Sequence, residues 1–194
     1  MERYQALRPR QLFDMEIERL TAKGLTRYEH ADRFRNNLPP NLFLFIPPQS
    51  RELDLDNLMD LIEINGIRGR NFLAMQGLKD IIEIPKQSYF MLDLENHRIK
   101  GDCTLLTVET DIIKRNRLPY TMWGGIIHAI VFPEILEDYD ITYFIGSRHT
   151  FDYEGKSRVP FIRLHGNEPQ LDSYQYLPCV SHRPCAPSCR EIIS

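Results

Sequence analysis

The C-terminal stretch CVSHRPCAPSC contains four side chains that are typical metal ligands. Cys179, His182, Cys185 and Cys189 lie within eleven residues, and zinc accepts three thiolates and one imidazole. Structural zinc sites usually divide their ligands into two pairs separated by a longer stretch, whereas here the set is short and its prolines restrict the backbone. A disulfide within the cluster and unligated thiols are the alternatives. We therefore expect that no metal is bound. The less favoured alternative is a metal site formed by these four residues.

A second candidate site is the segment GSRHT, residues 146–150, which follows a predicted strand. Binding residues of α/β proteins commonly lie where a strand ends. Ser147 is a candidate nucleophile or hydrogen-bond donor, and Arg148 is a candidate partner for a carboxylate or phosphate. A plain turn with a surface arginine explains the same residues equally well.

Two further candidates precede this strand. His128 lies within the apolar run IIHAIVF, where a histidine is more often a core residue than a catalytic base. Glu134 follows Pro133 and is a candidate general base, although an acidic residue at this position commonly stabilises the start of its own helix.

The composition is that of a soluble globular protein, with 42% hydrophobic residues, 26% charged residues and a net charge of −3. This charge provides no bulk attraction to nucleic acid or to an anionic membrane. The N-terminus lacks the apolar core of a signal peptide, and the runs LFLFIP and IIHAIVF are too short to cross a bilayer. We therefore expect a soluble cytoplasmic protein with no membrane partner and with reduced cysteines.

Hydrophobic periodicity indicates the elements that position these residues. It predicts helices over 10–24, 27–36, 55–64 and 108–116 and after Thr121, and strands over 42–46, 88–94, 141–147 and 158–164. Residues 95–97 are expected to form a turn. The expected fold class is α/β or α+β, with a single mixed sheet flanked by helices and an irregular proline- and cysteine-rich C-terminal tail. We expect residues 1–194 to form one domain, with a helical segment over 1–40 and the tail over 165–194 packed on it.

The stretches NRLPYTMWGGIIHAIVFPEIL, ITYFIGSR and RVPFI resemble domain-of-unknown-function family 5701, an uncharacterised and largely bacterial family. In that family a Gly-Arg-x-Pro-Leu-Thr segment leads into a helix that ends in Phe-Pro-Glu. A Gly-Ser-Arg turn, an Arg-Val-Pro-Ala strand and a terminal Ser-Cys region follow. The positions that match are Arg117, Pro119, Thr121, Gly125, Phe132, Pro133, Glu134, Gly146, Ser147, Arg148, Arg158, Val159, Pro160, Ser188 and Cys189.

Two features depart from the family pattern. Val131 stands where the family tends to have a histidine, and LPCVSHRPC lacks the tryptophan-rich tail of the family. Cys179 and Cys185 therefore have no counterpart in the resemblance, whereas Cys189 does.

The resemblance implies no established activity. It does make the serine, arginine and glutamate residues that it covers stronger candidates for a functional role. We expect a small enzyme with an arginine-lined pocket for an anionic or acyl-bearing substrate and with no cofactor. One form of this hypothesis is acyl or aminoacyl transfer, such as tRNA-dependent small-peptide or cyclodipeptide formation from aminoacyl-tRNA. The expected catalytic residues are Ser147 and Glu134, and the expected substrate-binding residues are Arg148, Arg158, Arg117 and His128.

The alternative is a non-catalytic binding or assembly module in which the same polar residues form a structural network, with arginine paired to Glu134 or Asp140. A pocket on which these residues converge would favour the enzyme. Residues that bind one another inside the fold would favour the module. A homo-oligomer is compatible with either hypothesis.

Overall fold

Helices and strands intermix along the chain, as the sequence pattern predicts. The computed structural model describes residues 2–49, 54–99, 103–150, 157–175 and 184–194. Its helices are α1 (Glu2–Gln5), α2 (Pro9–Ala22), α3 (Tyr28–Asp32), α4 (Leu55–Asp60), α5 (Leu105–Lys114), α6 (Met122–Val131) and α7 (Glu134–Asp138). Its strands are β1 (Phe43–Ile46), β2 (Glu63–Ile64), β3 (Ile67–Arg68), β4 (Arg70–Asn71), β5 (Leu78–Asp80), β6 (Tyr89–Leu92), β7 (Glu95–Arg98), β8 (Leu118–Pro119), β9 (Ile141–Tyr143), β10 (Ser147–His149), β11 (Arg158–His165), β12 (Glu168–Gln175), β13 (Pro184–Cys189) and β14 (Glu191–Ile193).

A large mixed sheet forms the centre of the fold. Its main path runs β4-β12-β11-β9-β13-β7, with β10 joining β11 to β5, and β8 pairing with β13. The long antiparallel pair β11–β12 is in continuous register from Arg158↔Gln175 to His165↔Glu168. The mixed α/β class and the large sheet flanked by helices are therefore confirmed.

Two smaller sheets accompany it. One is antiparallel, in the order β1-β6-β14, and the other is the β2–β3 hairpin. The hairpin turns at Asn65 and Gly66, whose φ angles of 52° and 80° are those that Asn-Gly adopts readily in a two-residue hairpin loop. The expected helix over 55–64 therefore ends earlier, at Asp60.

The expectation of an irregular tail is wrong for the described part of it, and so is the expected turn at 95–97. Residues 168–175 form β12, residues 184–193 contain β13 and β14, and residues 95–98 form β7. β13 lies within the large sheet, where it pairs with β7, β8 and β9. Two of the prolines that suggested irregular structure, Pro184 and Pro187, belong to this strand.

Helices cover both faces of the large sheet. α5 buries Leu105, Val108 and Ile112 in one apolar cluster with Val159 and Phe161 of β11. The next residue along β11, Ile162, belongs to the other cluster, which also contains α6 and the buried face of α2. Adjacent strand residues point to opposite faces, so the alternation along β11 separates the two cores.

α6 is buried along its whole length and organises the larger core. Its first turn is capped by Thr121, whose Oγ1 accepts a hydrogen bond from the Gly124 N–H at 3.2 Å. The side chain of Trp123 donates to the Pro47 carbonyl at 3.0 Å, which ties α6 to the segment after β1. Among the described residues, no helix combines the length and apolar character needed to cross a membrane.

Candidate functional site

Ser147 is a fully buried residue that joins β5 to the start of α6. Its Oγ accepts a hydrogen bond from the Met122 N–H at 2.8 Å and donates one to Asp80 Oδ1. Asp80 is its direct neighbour in the β5–β10 ladder. Burial raises the pKa of Asp80, and the Ser147 hydrogen bond partly opposes this shift. Both sides of the hydroxyl are thus committed within the fold, and the side chain is 0% exposed.

Arg148 is an ion-pair partner of the helix that covers its sheet face. Its Nη2 lies 2.7 Å from Glu109 Oε2 on α5. Its Nη1 donates to the backbone carbonyls of Ile145 and Ser147. A guanidinium bonded in this way links the end of β9 to α5 and is 7% exposed.

Arg158 and Arg148 do not share a pocket. Arg158 stands directly opposite His149 in the β10–β11 ladder, so the side chains of these two residues lie on the same face. Arg148 precedes His149 on the strand and therefore projects from the other face, toward α5. The His149 ring is held by Ser173, whose Oγ is 3.2 Å from Nδ1. Burial lowers the pKa of His149.

Glu134 lies at the opposite end of α6 from Ser147. It forms a hydrogen bond with Tyr4, and Tyr4 also bonds to Arg19. Arg19 in turn donates to the Val131 carbonyl at the C-terminal end of α6. Ser147 contacts Met122, the first residue of α6, and a ten-residue helix is about 15 Å long. A nucleophile and its base must lie within hydrogen-bond reach, so the expected catalytic pair is not assembled.

His128 is a core residue with no route to a ligand. It is 0% exposed, and its ring packs against Tyr120 and Phe132 at centroid distances of 5.5 and 5.4 Å. Within the described residues, neither ring nitrogen has a hydrogen-bond partner. Burial lowers the pKa of His128 to about 3, so the ring is neutral at physiological pH.

Arg117 is bonded through all three of its guanidinium nitrogens. Nε lies 2.9 Å from Ser188 Oγ and 3.2 Å from Glu95 Oε2. Nη1 lies 3.3 Å from Asp93 Oδ2, and Nη2 donates to the carbonyls of Asp93 and Ser188. The side chain connects β13 to the turn between β6 and β7. It leaves no donor nitrogen uncommitted for an anionic substrate.

The cysteines do not form the alternative zinc site. Cys179 and His182 lie outside the described residues. Cys185 and Cys189 are both buried free thiols on β13, and residues four apart on a strand are separated by about 13 Å. Two ligands of one zinc ion must lie far closer together, because each Zn–S bond is about 2.3 Å long. Burial raises the pKa of each thiol to about 12. Among the described residues no cluster of three candidate metal ligands occurs.

An open groove lies where the large sheet meets the β1-β6-β14 sheet, with a volume of about 880 Å³. It is lined by residues 81–85 after β5, by Glu109 and Ile113 of α5, by residues 116–119 and by residues 190–192. Ile81 and Ile113 are 42% and 57% exposed there, and Ile84, Leu118 and Ile192 add further apolar surface. Of the expected site residues that the structure describes, only Arg117 reaches this groove, together with Glu109, a partner of Arg148.

The acidic partners of the expected site residues were missed by the sequence analysis. Asp80, Asp93 and Glu109 bind Ser147, Arg117 and Arg148 across sequence separations of 67, 24 and 39 residues. No spacing rule connects residues so far apart, because only the sheet register and the helix packing bring them together. The groove was also missed, since its walls come from four separate segments.

Comparison of the chain with known protein families, with curated proteins and with solved structures found no match. The resemblance to domain-of-unknown-function family 5701 therefore stays a prediction, resting chiefly on residues 117–160.

Proposed function

We propose that this protein is a non-catalytic binding module in which the serine, arginine and glutamate network is structural. The observation that carries this proposal is that Ser147, Arg148 and Arg117 are each buried and bonded to partners within the fold. A residue that reacts with a substrate or holds one needs a polar atom that can reach it. These side chains instead join strands to helices and to one another.

The enzyme hypothesis has less support from this geometry. Acyl or aminoacyl transfer needs a nucleophile, a base and an anion-binding group around one point. Here Ser147 and Glu134 lie at opposite ends of α6, and Arg148 and Arg158 project from opposite faces of the sheet. Transfer from aminoacyl-tRNA or another anionic or acyl-bearing donor stays a prediction for which the groove, rather than these residues, would have to supply the site.

The groove is the surface that we assign to binding. Exposed apolar side chains grouped in a concavity and rimmed by charges are typical of a recognition site. Ile81 and Ile113 come from separate elements, and neither is needed to fill the interior, since each is at least 42% exposed. The setting that we infer is the cytoplasm, where the free thiols of Cys103, Cys185 and Cys189 would remain reduced.

Mapping with small organic probes tests this assignment. Isopropanol and acetonitrile would be titrated into isotopically labelled protein while backbone amide shifts are followed. We expect the shifts to concentrate on residues 81–85, 116–119 and 190–192. Ile113→Lys should weaken probe binding in the groove at least tenfold, because it places a charge among the apolar side chains that line the groove.

Leu106→Lys is the matched control, because Leu106 is equally exposed on α5 but does not line the groove. It should leave the probe shifts unchanged. Shifts that are scattered over the surface, or that respond equally to both substitutions, would contradict the assignment of the groove as the binding surface.

A further inference from the structure

One wall of the groove is the open edge of a β-sheet. β14 pairs with β6 along one side, with Glu191, Ile192 and Ile193 opposite Leu92, Met91 and Phe90. Among the described strands, none pairs with its other side. An unpaired strand edge presents a row of backbone N–H and C=O groups that another strand can bind.

The facing wall is the segment 81–85, whose backbone is largely without hydrogen-bonded partners among the described residues. The Ile81 N–H donates to the Gly146 carbonyl at 2.9 Å. Beyond it, residues 82–84 make no backbone–backbone hydrogen bond to any described residue. Pro85 then ends the segment and lacks an N–H altogether. The groove thus has an open strand edge on one side and, on the other, a segment outside regular secondary structure whose residues 82–84 make no backbone–backbone hydrogen bond to described residues, with apolar side chains between them.

The charges of the groove favour a basic occupant over an anionic one. Arg117 and Arg190 share the carboxylate of Asp93, and Glu95 binds both Arg117 and Arg115. Of the charged residues that line the groove, three are acidic and two are basic: Glu83, Glu109, Glu191, Arg117 and Arg190. Within the described residues, the exposed carboxylates of Glu83 and Glu191 have no ion-pair or hydrogen-bond partner. The uncompensated charge at the rim is therefore negative, which complements lysine or arginine side chains.

We infer that the groove binds an extended peptide segment of another protein, which adds to the small sheet as a strand beside β14. This inference rests on the proposed binding function and names its partner class. Alternate side chains of the bound strand enter the apolar floor formed by Ile81, Ile113 and Ile192. Basic side chains between them reach Glu83 and Glu191. Main-chain hydrogen bonds to β14 supply affinity, and the alternating side chains supply specificity.

The test uses a blocked hexapeptide of alternating lysine and valine, titrated into the labelled full chain. We expect saturable shifts at residues 190–193 and 82–85, and slower hydrogen exchange of the β14 amides. A hexapeptide of alternating glutamate and valine should bind at least tenfold more weakly. Replacing both exposed carboxylates, by Glu83→Lys with Glu191→Lys, should reverse this preference. Both positions are exposed, so the fold should tolerate the exchange.

Backbone methylation separates strand addition from simple charge attraction. The lysine–valine peptide would be N-methylated at every second residue in each of the two possible registers. One register removes the donors that face β14 and should abolish binding, whereas the other should leave it within threefold. Equal binding of the two methylated peptides would overturn the inference.

Two other occupants would give distinct results. Octanoate that bound in the groove at least tenfold more tightly than the peptide would replace the peptide with an acyl ligand. Concentration-dependent dimerisation, with shifts at 190–193 on dilution, would show that a second copy occupies the edge. Either outcome overturns the peptide inference. If the organic probes concentrate in the groove and the peptide fails to bind, the binding module stands and this inference alone falls.

Discussion

The Ser147 hydroxyl joins a strand to the first turn of a buried helix. It accepts from the Met122 N–H, one of the N–H groups that a helix leaves without an internal partner, and donates to Asp80. The sequence GSRHT indicates a polar residue at the end of a strand, but it cannot reveal whether the hydroxyl faces solvent or a helix end. The structure places it at the helix end, where it has a capping role beside Thr121.

Ser147→Ala should lower stability. The substitution leaves the buried Met122 N–H without its acceptor, and an unsatisfied buried donor costs about 1–3 kcal/mol. Urea denaturation, followed by the fluorescence of the single tryptophan, Trp123, measures the free energy of unfolding. Thr110→Ala is a matched control, because it removes an exposed hydroxyl from α5 and should change stability by less than about 0.5 kcal/mol. An unchanged free energy for Ser147→Ala would contradict the capping role.

Residue types were easier to predict from the sequence than residue partners. The module hypothesis expected an arginine ion pair between helix and sheet, with Glu134 or Asp140 as its acid. One pair of this kind in the structure joins Arg148 to Glu109 on α5. Arginine needs an anionic partner when it is buried, and this much follows from its charge alone. The packing of the helices on the sheet determines which carboxylate becomes that partner.

At the scale of elements, the strongly periodic segments were predicted well. The helix over 10–24 appears as α2, which buries Leu12, Phe13, Ile17 and Leu20. Thr121 caps α6 as expected, and the apolar run at 42–46 is β1. Among the strands that the sequence did not predict, β7 and β13 lack a hydrophobic alternation of their own. They become strands because each supplies the edge that the other needs.

The prolines of β13 explain why the tail was expected to be irregular. A proline has no N–H to give to a neighbouring strand and is usually excluded from sheet interiors. Pro184 is the first residue of β13, and Pro187 lies between two short partners on the same side. Within β13, β9 pairs only with Pro184 and Cys185, and β8 only with Ser188 and Cys189. The missing N–H of Pro187 therefore falls in a gap in the ladder, while its carbonyl accepts from the Tyr120 N–H.

The two adjacent glycines of α6 should differ in their tolerance of alanine. A Cβ at Gly125 would overlap the ring of Phe144, whereas one at Gly124 would meet the Met91 sulfur at 3.2 Å. We expect Gly125→Ala to lower the free energy of unfolding by about 1–3 kcal/mol through overpacking. Gly124→Ala should change the free energy of unfolding by less than about 1 kcal/mol. The higher helix propensity of alanine, about 1 kcal/mol relative to glycine, offsets the cost of the close contact with Met91. Chemical denaturation of both variants checks the pair, and equal effects would refute the packing of α6 on Phe144.

At the scale of the whole molecule, two buried titratable groups shape the dependence of stability on pH. Burial raises the pKa of Glu16 well above 4.5, although its Oε2 accepts from the Phe45 N–H at 3.0 Å. Burial lowers the pKa of His128 from 6.5 to about 3. In both groups, burial in the apolar core disfavours the charged form.

The two shifts change stability in opposite directions as the pH changes. The folded state holds the Glu16 proton more tightly than the unfolded state, so this group lowers stability as the pH rises above about 4.5. The folded state binds a proton on His128 less tightly, so this group lowers stability as the pH falls from 6.5 toward 3. We expect Glu16→Gln to gain stability relative to the parent with rising pH. The gain should approach 1.4 kcal/mol per pH unit until the folded pKa is reached.

Denaturation at a series of pH values from 4 to 9 measures these slopes. Glu16→Gln keeps an oxygen for the Phe45 N–H, so the change in slope, rather than the absolute stability, reports ionisation. His128→Leu is the complementary variant and should remove the acid-side loss while leaving the alkaline side unchanged. Parallel pH profiles for the parent and Glu16→Gln would show that burial does not raise the pKa of Glu16.

The position of β13 and β14 also determines when the fold can form during synthesis. β7 pairs with β13, and one edge of β6 pairs with β14. Both of these partners are synthesised well after β6 and β7. Contacts so distant in sequence slow folding, since a long loop must close before they form. On the ribosome, the aromatic-rich strand β6 would hold one unpaired edge until residues 191–193 had emerged. The nascent chain should therefore engage chaperones until that point.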